Sequence, residues 1–147
     1  MEARRAHLRA SLLDRLMETD PDATYEKVSL RTQREPGLRE SVRRDLEVLL
    51  STRRGMSLQQ IAARGRIVHD YGVQDLSHLS PRSEEDRQRM ASAITEAVEA
   101  CEPRLKNVQV HVTRHPHLVE SLLVHIDALL LAEGVQEPVS FPFVVRR

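Results

Sequence analysis

SEEDRQRMASAITEAVEACEPRLKNVQVHVTR, residues 83–114, changes its hydrophobic period once, and that change decides the fold. Up to Cys101 the apolar residues Met90, Ile94, Ala97, Val98 and Cys101 recur at helical spacing, one stripe facing a core. Ser83 with Asp86 has the form of a capping box, and Glu84, Glu85 and Asp86 put carboxylates at the positive end of the helix dipole. Beyond Leu105, the residues Val108, Val110 and Val112 alternate with Gln109, His111 and Thr113, as in a half-buried strand. Glu102-Pro103-Arg104-Leu105 lies between the two patterns. Proline has no amide hydrogen and disfavours helical geometry in the residue before it, so the helix ends there. By themselves Glu102 and Arg104 read as a local ion pair on a helix-to-strand turn, contributing about 0–1 kcal/mol.

Working outward, 6–17 reads as a short helix with Leu8, Leu12, Leu13 and Leu16 on one stripe, and 23–37 as a polar surface loop ending in Pro36-Gly37. Residues 1–37 together are expected to be a partly mobile lead-in to a single domain spanning 1–147. A second helix is predicted over 41–52, capped by Ser41, with Val42, Leu46, Leu49 and Leu50 inward and Arg43, Arg44, Asp45 and Glu47 outward. Arg53 and Arg54 suit its negative end. A small helical unit follows at 57–64, then Tyr71-Gly72 and a Ser-rich loop closed by Pro81.

Downstream, 114–117 turns the chain. Periodicity reads 118–131 equally well as a strand (Leu122, Val124, Ile126, Ala128 and Leu130 on one face) or as a helix (Leu118, Leu122, Ile126, Leu129 and Leu130). The short connection from the preceding strand favours a hairpin partner, so the expectation is strand. After a turn at 134–138, Val139, Phe141, Phe143 and Val145 alternate in a last strand, where Pro142 removes a ladder donor and implies a sheet edge. The fold class expected is α+β: about three antiparallel strands in the C-terminal half, flanked by three to four helices.

At 147 residues, a single domain can bury roughly 70% of its unfolded surface without a disulfide or metal staple. Its core must be aliphatic, since Trp is absent and there are two Phe and two Tyr. Lys+Arg and Asp+Glu balance at 22 each, so no global field selects nucleic acid or an anionic membrane. Cys101 is the single cysteine, which excludes an intramolecular disulfide and a Cys-based zinc site within one chain, and its place on the helical stripe makes it a small core residue. No segment approaches the ~20 apolar residues of a membrane-spanning helix. The longest candidate, 118–132, holds Glu120, His125 and Asp127, and the N-terminus alternates arginines with leucines unlike a secretory signal. The expectation is a soluble cytoplasmic protein.

Catalytic patterns fare poorly. His111, His115, His117 and His125 gather near the predicted hairpin, but a metal site needs three or four ligands in fixed geometry, and solvated loop histidines explain them more simply. Glu18, Asp20, Asp22 and Glu26 could be paired for glycoside hydrolysis, as could any acidic loop, and few aromatics are available to stack on sugars. Phosphate-loop, GxSxG and metalloprotease patterns are missing. Residues 57–63 read like the first helix of a helix-turn-helix, but the following segment is too short to be a base-reading helix. Arg43/Arg44 and Arg53/Arg54 read as a solvated helix face.

Several stretches, in order, resemble one family. Glu102-Pro103-Arg104-Leu105-Lys106-Asn107-Val108 looks like the signature of the phage baseplate wedge family once called lysozyme-like, and in particular its type VI secretion (TssE-type) branch. The segments 11–16, 41–54, 71–77 and 137–139 resemble its leucine-rich start, first core helix, Tyr-Gly turn and last strand entry, although Asp70 stands where asparagine is expected. The resemblance implies a small antiparallel sheet flanked by helices and a structural, non-enzymatic role: joining the baseplate wedge to the contractile sheath and templating the first sheath ring. It implies Glu102, Pro103, Arg104 and Leu105 as the wedge-docking motif, with Glu102 and Arg104 as polar anchors. The strand of Val139, Phe141, Phe143 and Val145 is the candidate sheath-contact edge, by strand addition, and 108–112 is the other candidate. Implied partners are wedge subunits of the TssF, TssG and TssK type and sheath subunits of the TssB and TssC type, without cofactor, metal, nucleic acid or membrane insertion. A regulatory adaptor on the same fold, and more remotely a cell-wall hydrolase, are the alternatives.

Overall fold

In the computed structural model, residues 35–56, 70–118, 121–132 and 135–146 are described, together with 60, 61 and 63. The expected helix at 6–17, the loop up to residue 34 and most of 57–64 lie outside them. Two helices and five strands are present among the described residues.

Helix α1 (Glu35–Ser51) begins six residues before the expected start. Pro36-Gly37 reads locally as a loop end, but a proline in the first turn has no helical hydrogen bond to lose and its φ is already set for the helix. Ser41 is therefore not the cap; it lies inside the helix and is fully buried. The predicted stripe holds, with Leu38 added to Val42, Leu46, Leu49 and Leu50 in the core. Arg43 sits on the solvent side between Glu40 and Glu47, and its hydrogen bonds to Glu40, with its charge a smaller contribution, lower the Glu40 carboxyl pKa from its ordinary value.

Strands β1 (Arg53–Arg54) and β2 (Val73–Gln74) form a short parallel pair, Arg53 opposite Val73. Arg53 is exposed and donates to the Leu50 carbonyl at 3.1 Å, as a cation at a helix C-terminus should. Arg54 departs from the solvated-face reading. Alternation along β1 turns it inward, where its Nε and Nη1 are buried without a hydrogen-bond partner among the described residues.

Helix α2 (Glu84–Cys101) buries Met90, Ile94, Ala97 and Val98, with Cys101 half-buried against the same core. Only one arm of the capping box closes. The Ser83 hydroxyl accepts the Asp86 amide at 3.3 Å, whereas the Asp86 carboxylate accepts the amide of Ser80 at 2.8 Å. The helix stops at Cys101, and Glu102 caps it by donating its amide to Val98 O at 2.8 Å.

Three antiparallel strands complete the fold in the order β3-β4-β5: β3 (Leu105–Arg114), β4 (Ser121–Ala132) and β5 (Val135–Arg146). β3 starts three residues earlier than the alternation indicated, because a bulge between Lys106 and Gln109 breaks the period of two. Asn107 carries it at φ 52°, the left-handed conformation that asparagine tolerates better than most residues. The ambiguous segment is a strand, with Leu122, Val124, Ile126, Ala128 and Leu130 all buried on one face. β5 extends back through the expected turn to Val135. It is an edge strand, as Pro142 implied. Both helices contribute to the core that covers the inner face of this sheet.

Candidate functional site

Four sequence features converge at one junction: α1, the Tyr-Gly turn, the end of α2 and the start of β3. Arg104 is at its centre. Its Nε donates to Glu102 Oε1 at 2.7 Å and its Nη2 to Glu102 Oε2 at 2.5 Å, a bidentate pair. The same Nη2 donates to Asp45 Oδ2 at 2.5 Å, and Nη1 donates to Ser41 Oγ at 3.2 Å. The Arg104 amide also donates to Glu102 Oε1 at 3.2 Å, closing the turn around Pro103.

Burial separates this arrangement from a surface ion pair. Glu102 is 5% exposed as a residue, and the Asp45 and Arg104 side chains are 16% and 22% exposed. Burial by itself would lower the guanidinium pKa, but Glu102 and then Asp45 outweigh it, so the pKa is raised and the charge is held. Two carboxylates share one guanidinium, so the cluster is net negative. One Nη1 hydrogen of Arg104 is left over among the described residues, on a side chain that is 22% exposed.

The Tyr-Gly turn locks onto the same helix. Tyr71 Oη donates to the Asp45 carbonyl at 3.2 Å. Burial, and after it the charge of Asp45, pushes the Tyr71 phenol up to about 12. Gly72 has φ 113°, and a Cβ there would lie 2.6 Å from the Thr52 carbonyl oxygen, which accepts the Val73 amide at 2.9 Å. Glycine is required at this position on both counts.

Of the motif residues, Pro103 is exposed and Leu105 is buried in the core. Ser41 and Asp45, read from sequence as a cap and an outward charge, are the partners that sequence reasoning missed. Their one available signal is the spacing of four, which puts both on one flank of the apolar stripe.

The β5 residues are not part of this junction. Val139, Phe141 and Phe143 point into the core, with Val145 packed against it, so β5 offers its open edge through backbone and its opposite face, where Val144 is 51% exposed. The histidines do not converge either. His111 and His125 pair across β3 and β4, while His115 Nδ1 accepts the amides of His117 and Leu118 at 3.2 and 3.1 Å and so orders the turn. Among the described residues no group of three or more His, Cys, Asp or Glu could hold a metal ion. A recess of about 1040 Å³ between the 75–82 loop, α2 and the β3–β4 end is lined by none of Ser41, Asp45, Glu102 or Arg104. No helix among the described residues is long and apolar enough to cross a membrane.

Comparison with known proteins identifies relatives of the chain. The family model described as Baseplate wedge protein gp25 matches residues 37–135, from α1 to the first residue of β5. Among solved structures, a chain of the baseplate complex from the type VI secretion system superposes with a TM-score of 0.54 at 19% identity, covering 77% of this chain and 98% of that one. A Geobacter sulfurreducens protein named for a tail lysozyme superposes with a TM-score of 0.52 at 18% identity, over 75% of this chain and 93% of its own. At such identities the likeness is one of fold. No curated protein is significantly similar.

Proposed function

The chain belongs to the baseplate wedge protein gp25 family, and from that premise we propose that it is a structural part of a contractile injection machine of the type VI secretion kind, a TssE-type subunit. In this reading it joins the wedge to the contractile sheath and starts sheath polymerisation from the cytoplasmic side of a membrane-docked baseplate. The observation that carries the proposal is the family match, which spans the Tyr-Gly turn, the Glu-Pro-Arg motif and the partners that α1 supplies to it. The fold shared with a type VI baseplate chain over nearly all of that chain's length supports the same reading. In this reading the chain is a structural part and not an enzyme.

The junction would serve wedge docking. Glu102, Asp45 and Ser41 fix the Arg104 guanidinium in one orientation, so a partner meets a preset donor beside the exposed Pro103 ring. Preorganisation of this kind lowers the ordering cost of association. The partners in this role are wedge subunits of the TssF, TssG and TssK type. Sheath subunits of the TssB and TssC type would add to the sheet at an open edge. The test is deletion of the gene in a strain carrying fluorescent sheath subunits. Extended sheaths should vanish and return with the intact gene; normal sheaths without the chain would reject the proposal.

A further inference from the structure

Among the described residues the order β3-β4-β5 leaves two edges unpaired, and backbone direction distinguishes them. The amide of Leu131 donates to the carbonyl of Arg104 at 2.8 Å, and the carbonyl of Ser121 accepts from His115 at 3.0 Å. Odd-numbered residues of β4 therefore turn their backbone groups toward β3, and even-numbered ones toward β5. The β4–β5 register pairs those even residues with odd residues of β5, such as Ile126 with Phe141. Gln136, Pro138, Ser140, Pro142 and Val144 must then face away from the sheet. Two of these five are prolines, so the outer edge of β5 offers an amide only at every fourth residue over that stretch.

The outer edge of β3 is different. Past the bulge, Gln109, His111 and Thr113 pair with Asp127, His125 and Leu123, so their backbone groups face β4. Val110, Val112 and Arg114 present both N–H and C=O outward at the regular two-residue repeat, with no proline. A groove of about 350 Å³ runs between this edge and the first turns of α2, lined by Glu84, Arg87, Val112, Thr113 and Arg114 among others. Arg87 is held there by Glu84 and by the Pro81 carbonyl. Arg114 is exposed and makes no ion pair among the described residues. The groove thus has two guanidiniums to one carboxylate.

We propose that the outer edge of β3 over 110–114 accepts an extended segment of another protein chain as a fourth strand, with an acidic side chain beside Arg114, and that the β5 edge stays unpaired. The identity of the partner rests on the sheath-side reading above; the choice of edge rests on backbone direction and the two prolines. Amide hydrogen exchange of the full chain, alone and mixed with purified sheath subunits, tests it. Val110, Val112 and Arg114 should exchange at least about tenfold more slowly in the mixture, with Ser140 and Val144 unchanged. Arg114→Glu, on an exposed side chain, should weaken the complex about tenfold while leaving the melting temperature in place. Slowing at Ser140 and Val144 instead would overturn the choice of edge. A complex with neither edge protected would overturn strand addition, and no complex at all would overturn the sheath reading.

Discussion

Replacing Arg104 with methionine should destabilise the chain far more than loss of a surface ion pair would. The substitution keeps roughly the aliphatic stem of the side chain and removes the guanidinium, which leaves the carboxylates of Glu102 and Asp45, 7% and 16% exposed, without their cation. Removing one partner of a buried pair costs about 3–5 kcal/mol, against about 0–1 for an exposed one. Arg104 is 22% exposed, so water takes up part of the loss, and about 2–4 kcal/mol is expected. With a urea m-value of about 2 kcal/mol per molar, the midpoint should fall by roughly 1–2 M with m unchanged. Adding Glu102→Gln and Asp45→Asn to Arg104→Met should recover most of that loss, because the penalty lies in the stranded charges. A lysine should recover little, since a point charge cannot reproduce the fork that reaches Glu102, Asp45 and Ser41 together. A midpoint shift of Arg104→Met below about 0.3 M, or a triple variant no more stable than the single one, would refute the buried-junction argument.

Gly72→Ala should cost about 2–3 kcal/mol, read by thermal or urea unfolding, because the new Cβ meets the Thr52 carbonyl at an unfavourable φ; an unchanged midpoint would mean that the turn relaxes freely. Ser83→Ala should cost about 1 kcal/mol through loss of the hydroxyl that accepts the Asp86 amide, whereas Ser83→Asp, which keeps a capping oxygen, should cost little; an unchanged midpoint in Ser83→Ala would show that the hydroxyl does not support the helix. The Tyr71 phenol has a folded pKa raised from 10.0 to about 12, so its contribution to stability is complete below pH ~10 and is lost as the pH climbs toward about 12. The stability gap between the parent and Tyr71→Phe should therefore narrow between about pH 9 and about pH 12; a constant gap would contradict the shift.

Local rules made much of this architecture readable. The proline at 103 ends α2 and the alternation beyond it starts a strand, because both signals act within a few residues. Pro142 marks an edge because its missing donor is a property of the residue itself. Four features escaped for physical reasons. Pro36-Gly37 carries the strongest local signature of a break, yet proline in a first helical turn costs nothing, so α1 starts early. Asn107 introduces a bulge by adopting a left-handed conformation that asparagine can take but that its identity does not demand. The third is the Arg104 junction. Glu102 is two residues away and visible, but Ser41 and Asp45 are separated from Arg104 by 63 and 59 positions. Only the packing of α1 against the end of α2 brings them together. The same holds for Arg54, whose burial depends on the strand paired with β1. The motif residues were thus legible, while the support that orients them was written on another element.

The central claim is that the chain acts as a fixed structural part joining wedge to sheath. Its most direct test is to purify the tagged chain from its native host at native expression level and to quantify every co-eluting protein by mass spectrometry. Wedge subunits and sheath subunits should be recovered together in constant ratios to the chain. A chain that elutes alone, or with one protein that belongs to neither assembly, would contradict the account.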